Sequence, residues 1–215
     1  MLHSPPFLLA SSSPYRAKLL SQFGVPFDTF SPNIDESPEV GESANTLAFR
    51  LSQAKANAVA DKFPEHIIIA SDQVACIKGT EKPLGKPNTR ENAIAQLTQC
   101  SSKTVHFYTG LSVIMPSAIL KHASQGRQQT IVETFDVNFR ALTQTQIEAY
   151  IDIELPLDCA GSFKAEGLGI ALFDSFSGRD HNTLIGLPLM ALNDCLKTFD
   201  VDLMRLAAQH HNSIT

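Results

Sequence analysis

Apolar residues fall along this chain in two alternating rhythms. Phe7-Leu8-Leu9-Ala10 is a short continuous apolar run that predicts a buried first strand, and it leads into Ser11-Ser12-Ser13-Pro14. Ser13 suits an N-cap and Pro14 the first helical position, with Tyr15, Leu19, Leu20 and Phe23 at helical spacing and Gly24 as the stop. An extended stretch through Phe27, Phe30 and Ile34 follows, and Asp35-Glu36, with Pro32 and Pro38 nearby, predicts a loop. Leu47, Ala48, Leu51, Ala54 and Ala58 mark an amphipathic helix from Ala44 that ends near Phe63-Pro64. Ile67-Ile68-Ile69-Ala70 is a second buried strand.

The next segment, with Gly79, Pro83, Gly85 and Pro87, is a loop, and Ile94 and Leu97 anchor a short helix from about Thr89 to Gln99. Val105 to Met115 is a strand. Residues 116–129 are expected to be a turn, and Thr130 to Arg140 alternates with Ile131, Phe135, Val137 and Phe139 on one face, so the two strands make an antiparallel hairpin. Thr143 and Gln146 form a capping box for a helix carrying Ile147, Tyr150 and Ile151. A glycine-punctuated strand region is expected over Ala160 to Phe173, and Leu189, Leu192, Leu196 and Phe199 predict a last helix. The tail at 207–215 is expected to fray. Strand–helix units mixed with hairpins predict an α/β or α+β fold, a sheet with helices packed on it.

Composition narrows the class. A chain of 215 residues with 43% hydrophobic and 18% charged positions is sized for one domain, taken here as residues 1–206 in two lobes. A net charge of −5 disfavours a general nucleic-acid binder, which needs excess Lys and Arg to displace counterions. The four cysteines form no C-x-x-C pair, and the N-terminal apolar run is too short for a signal segment or a membrane span. A cytoplasmic protein is expected.

Several positions carry candidate chemistry. Ser11, Ser12, Ser13 and Arg16 place hydroxyls, backbone N–H groups and a guanidinium at a helix N-terminus, where phosphate binds well. Asp72 follows an apolar strand and is expected at its carboxyl end, where open α/β sheets hold ligands. Gly79 to Lys86 fails the P-loop spacing, which leaves Gly85-Lys86-Pro87 as a loop presenting an ammonium. Lys55 lies just past the apolar stripe of its helix, and Lys164 and Glu166 straddle the glycine-rich segment. No histidine spacing suits zinc; Glu36 and Asp72 are the best oxygen ligands for a hard cation.

Taken in order, Leu9-Ala10-Ser11-Ser12-Ser13-Pro14-Tyr15-Arg16, Ile34-Asp35-Glu36, Arg50-Leu51 with Lys55-Ala56, Ser71-Asp72-Gln73-Val74, Gly85-Lys86-Pro87, Tyr108-Thr109-Gly110, Cys159 to Gly167 and Leu184 to Pro188 resemble the motifs of Maf proteins over nearly the whole chain. The resemblance implies a two-lobed α/β fold of the Maf/ITPase-like kind, a mixed twisted sheet with flanking helices around a deep cleft. It implies hydrolysis of nucleoside triphosphates between the α- and β-phosphates with a divalent cation, Mg²⁺, Mn²⁺ or Co²⁺. By the same resemblance Asp72 is the proton acceptor, Glu36 and Asp72 hold the metal, and Ser11, Arg16, Lys55 and Lys86 bind the triphosphate. Tyr15, Gln73 and Glu166 match positions of base selection and resemble the branch acting on 7-methyl-GTP, whose cationic base gains from an aromatic face and a carboxylate. Asn33 stands where many relatives have Asp. The implied partner is a small nucleotide, with neither nucleic acid nor membrane and with a homodimer as the expected assembly. The competing class is a non-enzymatic nucleotide-binding regulator of septum formation.

Overall fold

The computed structural model describes residues 5–80, 82–117, 126–165 and 167–214. Seven strands form one sheet: β1 (Phe7–Leu9), β2 (Phe27–Thr29), β3 (Ile67–Ile77), β4 (Pro83–Leu84), β5 (Thr104–Ile114), β6 (Gln128–Phe139) and β7 (Phe173–Gly178). Their order is β2-β1-β3-β5-β6-β7, and β4 joins the free side of β3. β2, β1 and the first part of β3 are parallel; from β3 to β7 every pairing is antiparallel. The sheet is therefore mixed, as expected, with the predicted hairpin running from Thr104 opposite Asn138 to Ile114 opposite Gln128.

The helices are α1 (Pro14–Leu20), α2 (Ala44–Ala60), α3 (Arg90–Cys100), α4 (Gln144–Glu154), α5 (Asn182–Ile185), α6 (Leu189–Thr198) and α7 (Leu203–Ile214). Local signals set several boundaries. Ser13 accepts from the Arg16 N–H with Pro14 at N1, Gly24 takes φ 65° after the turn that follows α1, and Thr143 and Gln146 close their capping box. No described helix is long and apolar enough to cross a membrane.

The pleat of β3 and β5 sends alternate residues to two faces. Ile68, Ala70, Val74, Cys76 and Ile114 face α2, whose Leu47, Ala48, Leu51, Ala56 and Val59 cover them. The other face holds two cores. One is built around Leu9, Ile69, Leu111, Val113 and Leu192, the other around Ala75, Phe107, Phe135, Leu97 and Tyr150, so each long strand serves both halves of the molecule.

Three expectations are corrected. Asp72 is not at a strand's carboxyl end: β3 continues to Ile77 because Val74, Ala75, Cys76 and Ile77 are apolar, buried and paired with β5. The segment 160–172 is not a strand but two 3₁₀ turns, at Ala160–Ser162 and Leu168–Leu172, because Gly161 and Ser162 adopt φ of 77° and 64°. Residues 203–214 form α7 rather than a frayed tail. Asp202 caps its first turn, accepting from the N–H groups of Met204 and Arg205, and Leu203, Leu206 and Ala207 pack on the core beside Val25.

Candidate active site

The free edge of β3 has a gap. β1 covers it as far as Ile69, with the Ala10 N–H donating to Ile69 O, and β4 covers it again at Ala75 and Cys76. Between these, Ser71 to Val74 meet no described strand on that side, so the middle of β3 opens onto a cleft reachable from both faces of the sheet. Asp72 faces α2 and Gln73 the opposite side. The point where β1 ends and α1 begins lies beside this gap, which brings the N-terminus of α1 up to a mid-strand carboxylate.

The cleft is about 490 Å³, a volume suited to a nucleotide, and Ser11, Tyr15, Arg16, Glu36, Lys55, Asp72, Gln73 and Lys86 all line it. Glu166, the remaining expected site residue, lies outside the described residues; its neighbours Lys164 and Ala165 line the cleft. Asn33 is exposed and is not among the lining residues. Four cations, Arg16, Lys55, Lys86 and Lys164, meet three carboxylates, Glu36, Asp72 and Asp158, in this wall.

At the centre Lys55 and Asp72 are both buried, 8% and 6% exposed, with Nζ 2.5 Å from Oδ1. The same ammonium lies 2.7 Å from Oε1 of the exposed Glu36, so the two carboxylates converge on one cation. Glycine makes this approach possible. Gly110 is the partner of Asp72 across β5, and a Cβ there would lie 2.1 Å from Ala48 O, so α2 rests directly on the sheet and carries Lys55 inward. Burial holds the half-buried Arg16 guanidinium below its ordinary range, while Asp72 and Glu36 draw it back up.

The C-terminal turn of α5 organises the opposite wall. Backbone N–H groups of Gly186 and Leu187 cap Asn182 O and Thr183 O, and side chains of the site bond to the carbonyls of Thr183, Leu184 and Gly186. Arg16 Nε and Ser71 Oγ both donate to Gly186 O, at 2.9 and 2.8 Å, and Gln73 Nε2 donates to Thr183 O and Leu184 O at 2.8 and 3.0 Å. Thr109 Oγ1 adds a bond to Thr183 O. Buried Asp180 holds the segment from behind, accepting from the Asn182 and Met190 N–H groups.

The lining also has apolar and aromatic members: Tyr15, 38% exposed, with Phe107, Phe163, Leu184 and Ile185. Phe107 and Phe163 meet edge to face, with centroids 5.4 Å apart. Sequence reasoning missed Phe107, which alternates like any core residue of β5, and it missed Asp158, which has no motif of its own. Phe163 lay inside a recognised motif, where its aromatic ring was the available signal.

A mixed sheet whose broken strand edge opens onto a cleft lined by cations and aromatic rings defines an α/β protein with a small-molecule site of nucleotide size. The chain belongs to the Maf family: the profile described as Maf-like protein matches residues 6–199. A Pseudoalteromonas atlantica protein named 7-methyl-GTP pyrophosphatase is 53% identical over 195 residues, covering 91% of this chain and 95% of the relative. A Pseudomonas aeruginosa protein of the same name is 51% identical over 192 residues, covering 89% and 95%. Among solved structures, the Staphylococcus aureus Ham1 protein is similar with a TM-score of 0.49 and 13% identity, over 90% of this chain and 98% of that one.

Proposed function

We propose that this chain hydrolyses 7-methyl-GTP to 7-methyl-GMP and diphosphate, consuming one water. The observation that carries the reading is the buried Asp72 carboxylate at the open edge of β3, flanked by Lys55 and facing the serine-rich N-terminus of α1. The relatives' shared name supports the substrate. Asp72 accepts the proton of the water that attacks the α-phosphorus, and the bond to the bridging oxygen of the β-phosphate breaks. Negative charge grows on the leaving diphosphate, and Ser11, Lys86 and the already anchored Arg16 and Lys55 stabilise it there. Tyr15 and Gln73, both lining the cleft, select the base together with Glu166.

Glu36 and Asp72 would hold a divalent cation, Mg²⁺, Mn²⁺ or Co²⁺. Both present hard oxygen donors to one point, the place Lys55 Nζ now neutralises. No group of three or more His, Cys, Asp or Glu stands together among the described residues, so substrate phosphates and water complete the ligand set. When bound, the cation supplies Lewis-acid stabilisation of the phosphates. The enzyme works in the cytoplasm as a homodimer, and light scattering checks the assembly against the 23.4 kDa chain mass.

Purified protein is assayed for diphosphate release from canonical and methylated triphosphates with each metal. The expected result is diphosphate, with 7-methyl-GTP favoured. Orthophosphate as the primary product would rule out cleavage between the α- and β-phosphates, and binding without turnover would favour the regulator.

A further inference from the structure

The base end of the cleft is braced from outside by the last turn of α4. Leu155 ends that helix in the left-handed region, at φ 44°, and leaves carbonyls without helical partners. Lys164 Nζ donates to one of them, Glu154 O, at 2.9 Å, a favourable place for a cation. The Glu154 side chain returns the contact: its Oε1 accepts from the Leu168 N–H at 2.6 Å. Between these anchors a Cβ on Gly167 would lie 2.6 Å from Glu154 Oε1, and just beyond them one on Gly169 would lie 2.2 Å from Lys164 O. The Lys164 N–H donates to Tyr150 Oη at 2.9 Å. Lys164 and Leu168 are therefore both tied to α4, and Lys164 and Ala165 line the cleft.

We propose that Glu154 is a positioning residue for base selection. It lies outside the cleft wall, and it acts by holding Lys164 and Leu168, and with them the part of the wall made by Lys164 and Ala165, against which the methylated base is sorted. The inference rests on the 7-methyl-GTP reading and assigns the residue that makes the selecting segment rigid. Its carboxylate works as a hydrogen-bond acceptor for one backbone N–H, so an amide oxygen in the same place substitutes for it.

The test compares the wild type with Glu154→Ala and Glu154→Gln. Steady-state kinetics on 7-methyl-GTP and GTP are measured together with hydrogen exchange of the peptide spanning residues 164–170. Glu154→Ala is expected to lower the preference for 7-methyl-GTP roughly 2- to 10-fold, the worth of one hydrogen bond, through a higher KM for the methylated substrate. The kcat on GTP stays within about 2-fold, and exchange in the peptide speeds up. Glu154→Gln restores both the preference and the protection. An unchanged preference in Glu154→Ala, a Gln variant as defective as the Ala variant, or equal kcat losses on both substrates would each overturn the proposal. If the wild type shows no preference, the substrate reading fails, and the exchange measurement alone then decides whether Glu154 holds the segment.

Discussion

Lys55 and Asp72, 17 positions apart on a helix and a strand, meet through Nζ and Oδ1 at 2.5 Å inside a cleft that is otherwise open to water. Removing one partner of a fully buried pair costs about 3–5 kcal/mol. Here the cleft lets water reach the orphaned carboxylate, so Lys55→Met is expected to cost about 1–3 kcal/mol. A chain of this size loses about 2–4 °C of melting temperature per kcal/mol. The double variant Lys55→Met/Asp72→Asn should regain most of the stability while remaining inactive. Denaturant unfolding of the four proteins decides it, and strictly additive losses would show that the pair is not coupled.

Asp72→Asn keeps the volume and removes the base. Turnover is expected to fall roughly 10²–10⁴-fold, while nucleotide affinity measured without divalent cation holds or improves because a negative charge leaves the triphosphate's surroundings. Diphosphate release and calorimetric binding measure the two effects. Activity near wild type would remove Asp72 from the mechanism.

Tyr15 lines the cleft and is exposed enough to meet a base. A cation–π contact is worth about 0.5–2 kcal/mol, so Tyr15→Ala should lower kcat/KM for 7-methyl-GTP roughly 2- to 30-fold and for GTP by less. Equal losses on both substrates would assign Tyr15 to general packing rather than to recognition of the methylated ring.

Gly110→Ala tests how α2 sets the site. The added Cβ would meet Ala48 O at 2.1 Å and Ser52 Oγ at 2.7 Å, and the backbone oxygen cannot swing aside as a flexible side chain would. Overpacking of this kind costs about 1–3 kcal/mol. The shift of α2 also carries Lys55 away from Asp72, so activity well below the melting temperature should fall by about 10-fold or more, a cost typical of misplaced reacting groups. A variant that loses stability but keeps full kcat would show that the helix relaxes without moving Lys55.

The parts legible in the sequence are those fixed within a few residues. Ser13-Pro14, Gly24 and the Thr143/Gln146 box mark helix ends by their own hydrogen bonds and dihedrals, and the β5–β6 hairpin follows from alternation on both arms. The cleft residues were found as motifs, and the fold brings those it describes together. What stayed hidden depends on distant partners. That Asp72 is mid-strand follows from β3 changing neighbours, parallel to β1 and then flanked only by β5 until β4 arrives, and no local pattern encodes that exchange. The left-handed dihedrals at Gly161 and Ser162 turned an apparent strand into 3₁₀ turns, and Phe107 carries no mark that separates a cleft wall from a core.

The bond from Arg16 Nε to Gly186 O spans 170 positions. On a ribosome, the serine-rich turn and Arg16 leave the exit tunnel long before the segment that anchors them has been made. A nascent chain that has reached only α4 has no α5 carbonyls to receive Arg16, Ser71 or Gln73, and contacts so far apart in sequence form late. Competence to bind nucleotide is therefore acquired near the end of synthesis, and a chain truncated before Gly186 is left without the anchor of its own first helix.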